Sequence, residues 1–175
     1  SDVCSSDLVK YAFQHLRLHE VPLTGGGSTL RMSVPVEQSL LDASKKLMQA
    51  LKWHGVAMVE FKWDPNSHKF ALMEINGRFW GSLPLAVAAG ADFPAMLCEL
   101  MCEGTVRARP APTPGIYGRK LSSDIYWYEQ ILRRDIPPGF KDIPSLRDMF
   151  HDQLRVFSPR HFFDVQQWRD PLPGL

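Results

Sequence analysis

Hydrophobic and polar positions fall into two periods along this chain, and the switches between them mark out its elements. Residues 9–20, VKYAFQHLRLHE, alternate. Tyr11, Phe13, His15, Arg17 and His19 lie on one side and Ala12, Leu16 and Leu18 on the other, which predicts a strand. VPLTGGGST follows as a loop with three consecutive glycines, and STLRMSVP reads as a second short strand. The period then becomes helical. In VEQSLLDASKKLMQALKWHG, Leu40, Leu41, Ser44, Leu47, Met48 and Leu51 make one stripe. Lys45, Lys46, Gln49 and Lys52 mostly face away, and Gly55 is placed to stop the helix. GVAMVEFKWD and KFALMEINGR are two further strands. PNSH between them is a turn signal, so the two form an antiparallel hairpin. Two helices are expected after RFWGS, at 83–89 and 93–103.

Beyond Gly104 the texture changes. GTVRARPAPTPG is rich in proline and reads as an extended connection, and IYGRKLSS as an edge strand. DIYWYEQILRR is a helix with Asp124 as its N-cap, and PSLRDMF a short helical piece. VFSPRHFFDVQQWRDPLPGL carries aromatics without a period, and its end, WRDPLPGL, reads as a docking segment. No internal repeat is visible. The expected division is a domain at 9–104 and an appendage at 105–175. Residues 1–8, SDVCSSDL, stand apart: they match the tail of a common sequencing-library adapter read in frame. They lack the basic start and apolar stretch of a signal peptide. They are set aside as an artefact, and the natural chain is expected to continue upstream of Val9.

Composition narrows the class. With 175 residues, 45% of them hydrophobic, the chain can bury a core. A net charge of +1 without a dense Lys/Arg run gives no support to nucleic acid or an anionic membrane as partner. The longest apolar region, LPLAVAAGADFPAMLCELM, is broken by Asp92, Pro94 and Glu99 and reads as two core helices rather than a membrane span. Three cysteines make no disulfide framework. Cys98 and Cys102, four apart on a helix, are expected as small hydrophobes on its buried face. Such cysteine usage fits a reducing cytoplasm.

The candidate chemistry sits on the hairpin. LMEINGRFWGS spaces Glu74, Asn76 and Arg78 two apart, on one face if all three are in a strand. Pairing across 64–68 brings Glu60 near Glu74. Two carboxylates and an amide oxygen suit a hard divalent cation such as Mg²⁺, and Arg78 suits a phosphate or carboxylate. The same spacing also fits a plain solvated face. In TGGGST, Gly25, Gly26, Gly27 and Ser28 are able to hold phosphate through backbone N–H groups, or form an ordinary turn. No Gly-Lys-Ser/Thr follows, so it is no Walker loop. Arg17 and Arg31 suit substrate anions or the surface equally. His15 and His19 read as ordinary strand histidines, and Tyr126, Trp127 and Tyr128 as core or partner contacts.

VAMVEFKWDPNSHKFALMEINGRFWGSLPLAVAAGADFPAMLCEL resembles the C-terminal half of an ATP-grasp domain. Its flavour is that of the carbamoyl-phosphate synthetase large subunit and biotin carboxylase. TGGGSTLRMSVPVEQSLLDASKKLMQALKWHGV upstream is similar to the same group, so the resemblance spans about 13–104. It implies an α+β fold: an ATP-grasp C-terminal subdomain with an antiparallel sheet and packed helices, then a mixed appendage. It implies ATP with Mg²⁺ (or Mn²⁺) as cofactors. Glu60 and Glu74 would hold the metal against the phosphates, Glu74 bridging two ions, and Asn76 would ligate the second. Arg78 would steady the reacting phosphate or acyl phosphate, and Met73 would touch adenine. The glycine loop and Arg31 would lie near the acceptor. The family often has Pro where this chain has Gly77, a change expected to loosen the backbone beside Asn76. The implied activity is ligation of a small carboxylate to an amine through an acyl phosphate. The alternatives are a non-ligase nucleotide-binding module, either a phosphotransferase or a degenerate regulatory copy, and a structural interaction domain. Oligomerisation is left open. The lysines and glycine-rich flap of the family's other half are not visible, so this stretch alone is expected to bind ATP weakly and not to turn over.

Overall fold

The computed structural model describes residues 2–5, 8–64, 66–138 and 143–165, apart from the side chains of the first eight residues. The elements begin with β1 (Asp2–Ser5), β2 (Leu8–Ala12), β3 (Gln14–Val21), β4 (Gly27–Val34) and α1 (Gln38–Ala50). The hairpin β5 (Gly55–Asp64) and β6 (Lys69–Asn76) follows, then α2 (Leu83–Ala88) and α3 (Phe93–Glu103). The chain continues through β7 (Tyr117–Arg119), α4 (Leu121–Leu132), α5 (Leu146–Leu154) and β8 (His161–Phe163). They build two four-stranded sheets, ordered β2-β1-β5-β6 and β3-β4-β7-β8. All pairs are antiparallel except β7 with β8. The α+β class is as expected. Residues 2–5, set aside above on the origin of their coding sequence, pair as β1 between β2 and β5.

The alternation over 9–20 is two strands in two different sheets, not one. The break is Phe13, which leaves both ladders and enters the core at 2% exposure. That core also takes Val56 and Met58 from β5, Trp80, and the apolar faces of α2 and α3, so those helices fill the layer between the sheets. On the far side of the first sheet, Met48 of α1 meets Ala57, with Val59 and Ile75 packed around them. On the far side of the second, Trp127 and Ile131 of α4 and Met149 of α5 enclose Leu23 from the glycine loop.

Four local expectations need correction. In α1 the buried stripe is narrower than predicted, Leu40, Ser44 and Met48, and Leu51 at the helix end is exposed. In α3 the buried stripe is Phe93, Met96 and Leu100, which turns Cys98 and Cys102 to solvent. The strand in IYGRKLSS is not an edge: β7 lies between β4 and β8. Asp124 is not an N-cap, because α4 starts at Leu121 and places Asp124 inside the first turn. The PSLRDMF helix does form, started by a capping box between Ser145 and Asp148. The aperiodic tail supplies β8, while WRDPLPGL lies outside the described residues. The second sheet runs across Gly104, since β7 and β8 beyond it extend β4. No helix among the described residues is long and apolar enough to cross a membrane.

Candidate functional site

Asp64 sets the β5–β6 turn. Its carboxylate accepts from the Asn66 N–H at 2.9 Å and the Ser67 hydroxyl at 2.6 Å, bonds that also hold its pKa below the usual value. The turn fixes the register, and Glu60 falls directly opposite Glu74, with Met58 opposite Asn76. Directly opposed residues share a face, so the two carboxylates are neighbours and Asn76 is one strand step along. This is the face that carries Met58 into the layer between the sheets; Val59 and Ile75 point the other way, toward α1. A register shift between Glu60 and Phe61 leaves Met73 without a facing residue, at 64% exposure.

The second sheet answers this acidic pair with a cation. Arg17 of β3 forms an ion pair with Glu60 and donates to the carbonyl of Gly26 at 3.2 Å and to Glu20 at 3.3 Å. One guanidinium thus joins the glycine loop to the acidic strand. The loop needs its glycines locally: Gly25 has φ 108°, and a Cβ on Gly26 would lie 2.4 Å from the Val21 carbonyl oxygen. The Ser28 hydroxyl turns back to the carbonyls of His19 and Leu30. Among the described residues the Glu74 and Asn76 side chains have no hydrogen-bond or ion-pair partner.

Two predicted residues lie elsewhere. Arg78 is past the end of β6, exposed, and donates to the Phe79 carbonyl at 3.0 Å, so it does not continue the face of Glu74 and Asn76. The strand stops at Asn76 because Gly77 and the following bend turn the chain toward α2. Arg31 is not a surface group. It is buried at 1% exposure, ion-paired with Asp164 and donating to the Ser28 carbonyl at 2.9 Å. At Gly77 a Cβ would lie 2.3 Å from the Trp53 ring, so the ring occupies the space a larger residue needs.

Sequence reasoning missed a buried polar cluster beside the loop. Asp124 accepts from the Thr29 hydroxyl at 2.9 Å, faces Nδ1 of His19 at 2.8 Å and pairs with Arg119 at 2.5 Å. Arg119 reaches Asp152 at 3.0 Å, and Tyr128 donates to the same carboxylate at 2.7 Å. The His19 ring stacks on Trp127 at 3.6 Å. His19 is therefore more than an ordinary strand histidine, and Trp127 is core, as expected.

His15 is held neutral. Burial, then nearby positive charge that includes Arg31 and Arg17, lowers its pKa from 6.5 to about 3, and its Nε2 lies 3.2 Å from the Ser82 hydroxyl. Burial and Arg119 lower His161 to about 4. For both, the unfolded chain takes up the proton first. Stability is full above about pH 6.5 and declines as the pH falls toward 4 and then 3. His15→Gln is expected to flatten that decline in urea unfolding measured from pH 7 to 4; parallel curves for the two proteins would refute the assignment.

The donor set of Glu60, Glu74 and Asn76 is all oxygen, which fits Mg²⁺ or Mn²⁺ and not a soft metal. Among the described residues no group of three or more His, Cys, Asp or Glu side chains is arranged to hold a metal ion. Any cation here therefore relies on the amide and on ligands from outside the chain.

Comparisons with known proteins bear on the same region. A septin homolog, spn7 of Schizosaccharomyces pombe (strain 972 / ATCC 24843), is 28% identical over 74 residues, which is 42% of this chain and 16% of that protein. The match touches too little of either chain to bear on function. No solved structure matches. Residues 17–123, more than half of the chain, match the family described as ATP-grasp in the biosynthetic pathway with Ter operon. That span runs from Arg17 through the acidic hairpin to the start of α4, and on this match the chain belongs to the ATP-grasp family.

Proposed function

We propose that the Glu60–Glu74 face is a Mg-ATP site and that the protein is part of an ATP-dependent carboxylate–amine ligase acting through an acyl phosphate. Family membership supports an ATP-binding, ligase-like activity in general. The observation that carries the finer reading is the direct pairing of Glu60 with Glu74. Like charges directly opposed on a sheet are destabilising unless something positive lies between them. Arg17 neutralises one of the two, and the other has no protein partner among the described residues.

When bound, a divalent cation would supply the positive charge that lets the nucleotide phosphates approach these carboxylates and spreads charge in the transferring phosphoryl group. Glu60, Glu74 and Asn76 would hold it. Met73, exposed at the bulge, would offer an apolar contact to the base. Arg78, exposed and tied only to its neighbour's carbonyl, is free to turn to a phosphate. The loop at Gly25–Ser28 would present backbone N–H groups to the acceptor. Arg31 drops out of that role because Asp164 already holds it. In the reaction, a carboxylate oxygen of the acceptor attacks the γ-phosphorus and the bond to ADP breaks. An amine nitrogen then attacks the activated carbonyl carbon, loses its proton and expels phosphate.

Glu74→Gln tests the reading. The change keeps size and removes the charge, so Mg-ATP affinity measured by calorimetry on the intact protein should weaken at least about tenfold, or ~1.4 kcal/mol. Unchanged affinity would overturn the metal assignment.

A further inference from the structure

Arg17 has two allegiances. One arm of its guanidinium pairs with Glu60 on the first sheet; the other donates to Gly26 and Glu20 on the second. Among the described residues it makes the one side-chain hydrogen bond to residues 22–27. Within that loop the backbone bond is Gly25 N–H to Pro22 C=O, 3.0 Å, and Gly25, Gly26 and Gly27 are exposed. The Arg17–Glu60 pair is only partly buried, with side chains 30% and 18% exposed. Pairs of this kind are weak enough to exchange partners.

We infer that Arg17 is a counter-ion placeholder that couples cation entry at Glu60 to release of the glycine loop. The inference rests on the Mg-ATP reading of Glu60 and Glu74. A cation that ligates the Glu60 carboxylate competes with Arg17 for the same oxygens. Once displaced, the guanidinium keeps Glu20, its neighbour on β3, but loses the anchor that aims it at Gly26. Metal entry and a tethered loop therefore oppose one another, and linkage makes the effect reciprocal: whatever holds the loop to Arg17 weakens the cation. The glycine tip of the loop is then tethered while the metal site is empty and free to receive an acceptor once the metal is in place, with Leu23 holding the base of the loop against α4 throughout.

The test uses Mn²⁺ alone as probe, with binding followed by electron paramagnetic resonance and solvent exchange of the 24–26 amides by hydrogen–deuterium exchange mass spectrometry, which the paramagnetic ion does not disturb. In the unmodified chain, Mn²⁺ should raise loop exchange about fivefold, with the same midpoint as binding. Arg17→Met should bind Mn²⁺ more tightly, by roughly threefold to tenfold, the lower range of coupling between linked sites. Its loop should exchange fast with or without metal. The loop readout separates displacement from the general electrostatic gain of deleting a positive charge, and Arg17→Lys, which keeps the charge, should bind Mn²⁺ within about twofold of the unmodified chain while its loop is already fast. Mn²⁺ binding with no change at the loop would overturn the coupling alone, as would weaker binding in Arg17→Met or a fully protected loop in that variant. Absence of Mn²⁺ binding in all three proteins would overturn the Glu60–Glu74 reading and this inference with it.

Discussion

Asp124→Ala should destabilise the protein by about 3–5 kcal/mol, the range for breaking a buried ion pair from one side. Asp124 is 1% exposed, and so is Arg119, its partner. The carboxylate satisfies three groups at once: Arg119 at 2.5 Å, the Thr29 hydroxyl at 2.9 Å and His19 at 2.8 Å. Without it, Arg119 keeps only Asp152, and its Nε already lacks a partner. The Thr29 hydroxyl would lose its buried acceptor, and the His19 ring would keep only Asp152, 3.8 Å from its Nε2. A loss of that size is a large share of a typical domain's total stability, so the variant should be partly unfolded near 37 °C. Urea unfolding followed by tryptophan fluorescence, to which Trp127 stacked on His19 contributes, reads it. A loss below about 1 kcal/mol would mean that water or a rotamer change replaces the carboxylate and that the cluster is not cooperative. Asp124→Asn keeps an acceptor for Thr29 and should cost less.

A second effect is expected at Gly77. Its substitution by Ala should cost about 1 kcal/mol, the low end of the overpacking range, because Gly77 is exposed and the Trp53 ring that must move is only half-buried. The new Cβ would lie 2.3 Å and 2.6 Å from two carbons of the Trp53 ring, closer than atoms can approach, so the ring must move. That ring is pinned by its N–H to the Val56 carbonyl at 3.2 Å and packs with Ile75 and Ala57 behind the acidic face. Gly81→Ala, where a Cβ would meet nothing within 4 Å, is the matched control and should be near neutral. Trp53→Leu should relieve most of the penalty at Gly77, so the two changes should be strongly non-additive in a double-mutant cycle. Additive costs would show that the ring is not the obstacle.

The parts of the fold that were legible in the sequence are those whose causes are local. The turn between β5 and β6 lies midway between Glu60 and Glu74, so hairpin pairing alone brings them together. The helices at 38–50 and 93–103 carry their own apolar stripes. The break at Phe13 was not legible because the alternation runs straight through it: the residue keeps its parity while the chain changes sheets. The Asp124 cluster was invisible because its partners Thr29 and His19 lie 95 and 105 residues away. The burial of Arg31 was not legible for the same reason, since Asp164 is 133 residues distant. Arg17 was read as suiting a substrate anion or the surface, and it pairs instead with Glu60 of the chain itself. That the anion would be Glu60 depends on how two sheets face each other, and no period in either strand encodes that.

The position of β7 has a consequence for handling the molecule in pieces. A chain stopped at Gly104, where the composition changes, would leave β4 with a bare row of N–H and C=O groups along the side that β7 covers. It would also strip Arg31 and Thr29 of the carboxylates that hold them. Such an edge is a template for pairing with another chain. The strand beyond the proline-rich connection therefore acts as the sheet's guard against self-association, whatever else the C-terminal region does.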